Sequence, residues 1–157
     1  MAKRRRPRAT IRVQFAVDDC TGLPSKAHIR QWARAAFKTS SRHDGEIGVR
    51  LVTEDEAQRL NCVYRSKDYA TNVLSFGYDL RPVVRGDLVL CAPTVAREAA
   101  EQGKSLAAHY AHLIVHGVLH LLGYDHEGSV PLATEMESQE ERILARLGFA
   151  NPYRDEA

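Results

Sequence analysis

Long apolar runs are missing from this 157-residue chain. None approaches the roughly 20 residues that cross a bilayer as a helix, and no apolar segment follows the basic start as a secretory signal requires. The expectation is a soluble, unexported, cytoplasmic protein with no membrane partner. Cysteine is scarce as well: Cys20, Cys62 and Cys91 are odd in number, far apart and free of any C-x-x-C. That excludes a paired disulfide framework and a thiolate zinc site, and each thiol is expected as a small buried hydrophobe in a reducing compartment. Repeats, low-complexity tracts and linkers are also absent, which argues for one domain. With 44% apolar residues the chain can build a real core.

Positive charge is thin outside the first residues. The formal net charge is +2, but Lys3, Arg4, Arg5, Arg6 and Arg8 all precede residue 10, and without them 17 basic residues face 20 acidic ones. Basic character is therefore a tail over residues 1–9, not a field over a domain at 10–154. Such a tail can contact phosphates through counterion release, although short basic termini are commonly just solvated. Pro7 and the strand after it leave no room for an amphipathic presequence.

Alternation at Ile11, Val13, Phe15 and Val17 predicts a half-buried strand. Ile29, Trp32, Ala33, Ala36 and Phe37 recur at helical spacing from Pro24 to about Lys38, with Pro24 suited to the first turn and Trp32 and Phe37 expected in the core. Ile47, Val49 and Leu51 alternate again. Thr53 and Glu56 form a capping box opening a helix to about Arg65. Val73, Leu74 and Phe76 predict a third strand and Leu88 to Cys91 a fourth, with Pro82, Arg85 and Gly86 marking the turn between them. Pro93 to Gly103 and Ser105 to Gly123 read as helices with glycine stops. A second capping box, Thr134 with Glu137, opens a closing helix bearing Met136, Glu140, Ile143, Leu144 and Leu147. Four strands and five unevenly interleaved helices make an α+β domain with a mixed sheet.

Chemistry concentrates in residues 116–126, HGVLHLLGYDH. His116 and His120 stand one helical turn apart on one face, where both imidazoles can reach one ion. Gly123 can end the helix in a left-handed conformation and let His126 fold back as third ligand. Three neutral imidazoles leave an open position for water, the arrangement of a catalytic site for zinc or another divalent transition metal. His109 and His112 lie on the same stripe, and His112 is read as an outer partner of the site, cleft lining or packing. Asp125, next to a ligand, is a candidate to orient an imidazole, or else caps the turn.

The spacing matches the metzincin pattern H-E-x-x-H-x-x-G-x-x-H, except that Gly117 stands where those proteases carry their glutamate base. That substitution argues against an ordinary metalloprotease. A polar segment, NCVYRSKDYATNVLSFGYD at 61–79, adds Arg65 and Lys67 as cations for a phosphate, with Asn72 and Ser75 able to orient a substrate or fix the loop.

Taken together, HGVLHLLGYDHE and the run from Tyr64-Arg65 and Lys67-Asp68 through Thr71-Asn72-Val73-Leu74-Ser75-Phe76 resemble the YbeY family of bacterial endoribonucleases. The likeness continues through Gly86-Asp87 and Met136-Glu137 to near Pro152-Tyr153. It departs at Gly77, where many relatives carry proline, and it does not extend to the basic tail. The resemblance implies a zincin-like α+β fold with the metal site at the end of the long central helix. It further implies a metal-dependent, single-strand-specific RNase acting in ribosomal RNA processing, including 3′-end maturation of small-subunit rRNA, and in ribosome quality control. By the same likeness His116, His120 and His126 are zinc ligands and Arg65 is the functional arginine. Expected partners are single-stranded RNA, the ribosome or its small subunit, and assembly proteins. Two alternatives stay open on the residues themselves: a metalloprotease-like hydrolase, and a non-catalytic ribosome assembly factor with a structural metal.

Overall fold

The alternating segments build two neighbouring parallel strands, β1 (Ala9–Ala16) and β2 (Gly45–Val52), joined by the amphipathic helix α1 (Lys26–Ser40). The computed structural model describes residues 7–41, 43–65, 72–123 and 130–152, and at 40, 63–65 and 130–133 the backbone alone. Helix α2 (Glu54–Arg65) leads towards strand β3 (Val73–Asp79), which pairs antiparallel with β4 (Val84–Cys91). Helices α3 (Ala92–Gln102), α4 (Leu106–Leu121) and α5 (Val130–Arg146) follow. The strand order is β1-β2-β4-β3, so β4 is central and β3 is an edge. This is the expected α+β domain with a four-stranded mixed sheet and, among the described residues, five helices.

Period-two alternation divides the sheet into two unlike faces. Ile11, Ile47, Val49, Leu51, Val84, Leu88 and Leu90 join one core with α1, α4 and α5, including Trp32, Phe37 and Met136. A smaller cluster of Val52, Ala57, Leu74, Val89 and Cys91 forms on the other face, with Leu60 of α2 packed against it. Burying each large aliphatic side chain contributes about 1.5–3 kcal/mol before entropy is counted. Helix α4 lies deepest, with ten of its residues buried from His109 to Leu121.

Two glycines set how closely α4 approaches the sheet. A Cβ on Gly117 would lie 2.7 Å from Leu88 Cδ2, and one on Gly86 would lie 2.7 Å from Leu121 Cδ2. The position where metzincins carry a glutamate is thus filled here by a β4 leucine.

Several local expectations shift. Ser25, not Pro24, begins α1, accepting a bond from the His28 N–H at 3.1 Å. The Thr53 hydroxyl accepts from Glu56 N–H, but the Glu56 carboxylate turns to Arg50 at 2.5 Å, so the box is only half made. Arg85 and Gly86 belong to β4 instead of the turn before it. Helix α5 starts at Val130, which puts Thr134 inside it and not at its cap; Pro131 in its first turn was the better start signal. Cys91 is buried as expected, whereas Cys20, in the connection before α1, and Cys62, on the outer side of α2, are exposed. Ala9 already pairs with Gly45, one residue before the expected boundary, and Arg8 is held by Asp44.

Substituting Gly117 by valine should overpack the contact with Leu88 and lower stability by about 1–3 kcal/mol. Urea denaturation should show the midpoint falling with an unchanged slope.

Candidate metal centre

Helix α4 carries a row of imidazoles because 109, 112, 116 and 120 recur at three- and four-residue spacing. Adjacent ring centroids are 6.5, 6.3 and 5.7 Å apart from His109 to His120. The closest pair, His116 and His120, is the one expected to hold the metal. Gly123, with φ 99°, has the left-handed conformation expected after the helix. The third candidate ligand, His126, lies outside the described residues, as do Asp125 and Lys67.

A carboxylate that the sequence reading placed merely on a helix face proves central. Glu140 of α5 is fully buried, with Oε1 2.5 Å from His116 Nδ1 and Oε2 3.5 Å from His112 Nε2. A charge so buried requires partners, and two imidazoles supply them. With the His116 Nδ1–H donated to Glu140, Nε2 is the nitrogen left for coordination, the usual way a ligand histidine is held. This fits a borderline ion such as zinc, for which neutral imidazole is a preferred donor. Among the described residues no three side chains are grouped to hold a metal. The signal for Glu140 was present in the sequence: an acid inside the stripe Met136, Ile143, Leu144 faces the core and must be paired there.

His120 opens onto a cleft of about 360 Å³ between the end of α4 and the edge strand β3, lined also by Ser75, Tyr78, Leu80 and Gly123. Ser75 is therefore beside the candidate site. His112 faces a different cavity, of about 770 Å³, with Lys104, Ser105 and Asn151. Arg65 is the last residue of α2, and its backbone alone is described.

Asn72 is tied into a hydrogen-bond network at the start of β3. Its Nδ2 donates to Glu98 Oε1 at 3.1 Å, its Oδ1 accepts from Val73 N–H at 2.7 Å, and its carbonyl accepts from Cys91 N–H at 2.9 Å. Glu98 Oε1 also lies 3.0 Å from His109 Nε2. This clamp ties α3, α4 and the start of β3 together. Burial outweighs the Glu98 carboxylate and pushes the His109 imidazole below its ordinary pKa of 6.5.

The family model described as Endoribonuclease YbeY matches residues 18–148. The chain is 57% identical over 144 residues to the Endoribonuclease YbeY of Aromatoleum aromaticum, covering 92% of this chain and 90% of that protein. It is 54% identical over 144 residues to that of Xanthomonas campestris pv. campestris, covering 87% and 88%. The solution structure of TM1509 from Thermotoga maritima superimposes with a TM-score of 0.60 at 24% identity, covering 93% of this chain and all of that one, and so shares the fold.

Replacing Glu140 by glutamine should leave His116 without its anionic partner and weaken zinc binding by roughly 10- to 100-fold, read by competition with a chromophoric chelator. The His109 shift predicts a pH effect of definite sign. The unfolded imidazole takes up a proton near pH 6.5 that the folded one refuses, so stability falls as pH drops through that value, at up to about 1.4 kcal/mol per pH unit. Above it both forms are neutral and the dependence vanishes. A His109→Gln variant should show a shallower decline in urea titrations between pH 5 and 7.

Proposed function

The chain belongs to the YbeY endoribonuclease family, and from that premise we propose that it is a metal-dependent endoribonuclease cleaving single-stranded RNA. The observation that carries this reading is the cleft lined by His120 and Ser75, with the His116 ring 5.7 Å from His120 and held by Glu140, and position 117 turned away against Leu88. A peptidase of metzincin type needs a glutamate base at that position, and the packing leaves no space for one. His116, His120 and His126 would hold zinc or a related divalent ion. Bound there, the metal would acidify a water and withdraw charge from phosphoryl oxygens.

The protein's own groups then supply binding and orientation. Glu140 keeps the His116 ring in one tautomer and one plane. The Ser75 hydroxyl would donate to a phosphate oxygen, and Arg65, the last residue of α2, would offset charge developing in the transition state. Because position 117 offers no base, the chain leaves two attacking groups open, a water or the RNA 2′-hydroxyl. The second route leaves a cyclic phosphate; the first need not.

Ribosomal RNA, including the 3′ end of the small-subunit RNA, is the proposed substrate. The small subunit and its assembly proteins are the proposed partners, and the cytoplasm the proposed compartment. No described helix is long and apolar enough to cross a membrane. The basic residues before Arg8 would add sequence-independent phosphate contacts.

The reading is tested by incubating zinc-loaded protein with single-stranded RNA and, separately, with an unfolded peptide. RNA should be cut and peptide spared. Chelation should abolish cleavage and zinc should restore it. His120→Ala should lower the rate by more than the roughly 100-fold that loss of an outer partner brings. Peptide cleavage without RNA cleavage, or full nuclease activity in folded His120→Ala, would overturn the proposal.

A further inference from the structure

The sheet face away from α1 and α4 is only partly covered by α2, and a cavity of about 480 Å³ opens on it, lined by Arg12, Arg50, Leu60, Phe76, Tyr78 and Asp87. Its size falls in the range of small-ligand sites. Leu60, Phe76 and the neighbouring Val89 give it an apolar floor. Two arginines border it. Arg12 is exposed and, among the described residues, in no ion pair. Arg50 donates to Glu56 through Nη1, while its Nε–H is buried with no hydrogen-bond partner among the described residues. The one carboxylate lining the cavity, Asp87, already accepts from the Tyr78 hydroxyl at 2.8 Å. Gly48 makes room for it, since a Cβ there would lie 2.3 Å from Asp87 Oδ1.

Tyr78 connects this cavity to the cleft at His120, lining both. The sheet register explains how. Gly77 pairs with Gly86 and Asp79 with Arg85, so Tyr78 is the extra residue of a β-bulge, a device that re-aims a side chain. Tyr78 is 63% exposed, yet its hydroxyl is anchored, so an aromatic surface is held out at the rim between the two depressions.

We propose that the open sheet face is a second RNA-binding subsite, in which one nucleobase flanking the cut stacks on Tyr78 or Phe76 while Arg12 and Arg50 hold its phosphate and base edge. This rests on the nuclease reading and deepens it. A rigid exposed aromatic beside arginines is the chemistry that takes unstacked bases. A paired base cannot be splayed onto it without the cost of unstacking and unpairing, which would favour single strands. The two depressions both border β3 and share Tyr78 at their common rim.

The probe is a fluorescein-labelled single-stranded RNA of mixed sequence, bound to full-length protein carrying His120→Ala so that it is not cut. Adding Tyr78→Ala should weaken binding roughly 5- to 150-fold, the loss of one stacked base, whereas Tyr78→Phe should stay within a few-fold of the parent. Arg12→Ala should make the salt dependence of log K shallower by about 0.7 per decade, one single-strand phosphate contact. A 4-thiouridine-bearing RNA should cross-link to the peptide containing Phe76 and Tyr78. Both substituted positions are exposed, and circular dichroism verifies folding. If folded Tyr78→Ala and Arg12→Ala bind RNA like the parent and, with His120 restored, cut it with unchanged KM, the subsite is overturned and the face is left for a protein partner. Failure of the unsubstituted protein to bind or cut the RNA at all would instead overturn the nuclease reading and this inference with it.

Discussion

The approach of α4 to β4 governs most of what this structure can do. Leu88 occupies the space that a side chain at 117 would need, and Leu121 the space that one at 86 would need. Two missing Cβ atoms thus press the helix onto the centre of the sheet and fix its rotation. With that face committed to packing, the histidine stripe is turned towards α5 on one side and the edge strand β3 on the other. Leu88 and Leu121 are core residues holding a site by shape, and neither carries any chemistry of its own.

Charge along the stripe is placed just as strictly. Glu98 meets His109, and Glu140 meets His112 and His116. Each acid comes from a different neighbouring helix, so the imidazoles are tied to α3 and α5 as well as to their own backbone. Buried ionic groups are weak sources of net stability, because desolvation offsets their attraction. Their value here lies in orientation: an imidazole paired with a fixed carboxylate is held in one ring plane and one tautomer. The Asn72 clamp applies the same logic to a loop, fixing the end that enters β3.

Much of this was legible in the sequence because periodicity reports faces. The strand alternations, the glycine stops at 103 and 123, the core roles of Trp32, Phe37 and Met136, and the pairing of His116 with His120 all follow from local spacing. What escaped was non-local. Glu140 stood in plain view within an apolar stripe, but its partners lie 24 and 28 positions away. In the sequence Gly117 signals only the loss of a base; the steric requirement behind it is imposed by Leu88 of β4. The bulge at Tyr78 depends on the register between two strands, and no count along one strand reveals it. Helix α5 begins at Val130, one turn before the Thr134–Glu137 pair, with Pro131 in its first turn.

The strand order bears on how the chain can acquire its fold during synthesis. Strand β4, one of the two inner strands, is the last of the four to leave the ribosome, and the helix that seals it comes later still. Until Cys91 has emerged, β2 has one neighbour and an open edge, and β3 has none. The β3–β4 hairpin can form locally, but its docking beside β2 closes a loop of more than thirty residues, the kind of non-local pairing that slows folding and leaves edges exposed meanwhile. The histidine-bearing helix therefore meets a finished sheet only after every strand has emerged, so that the histidine row can be seated only on a sheet already assembled.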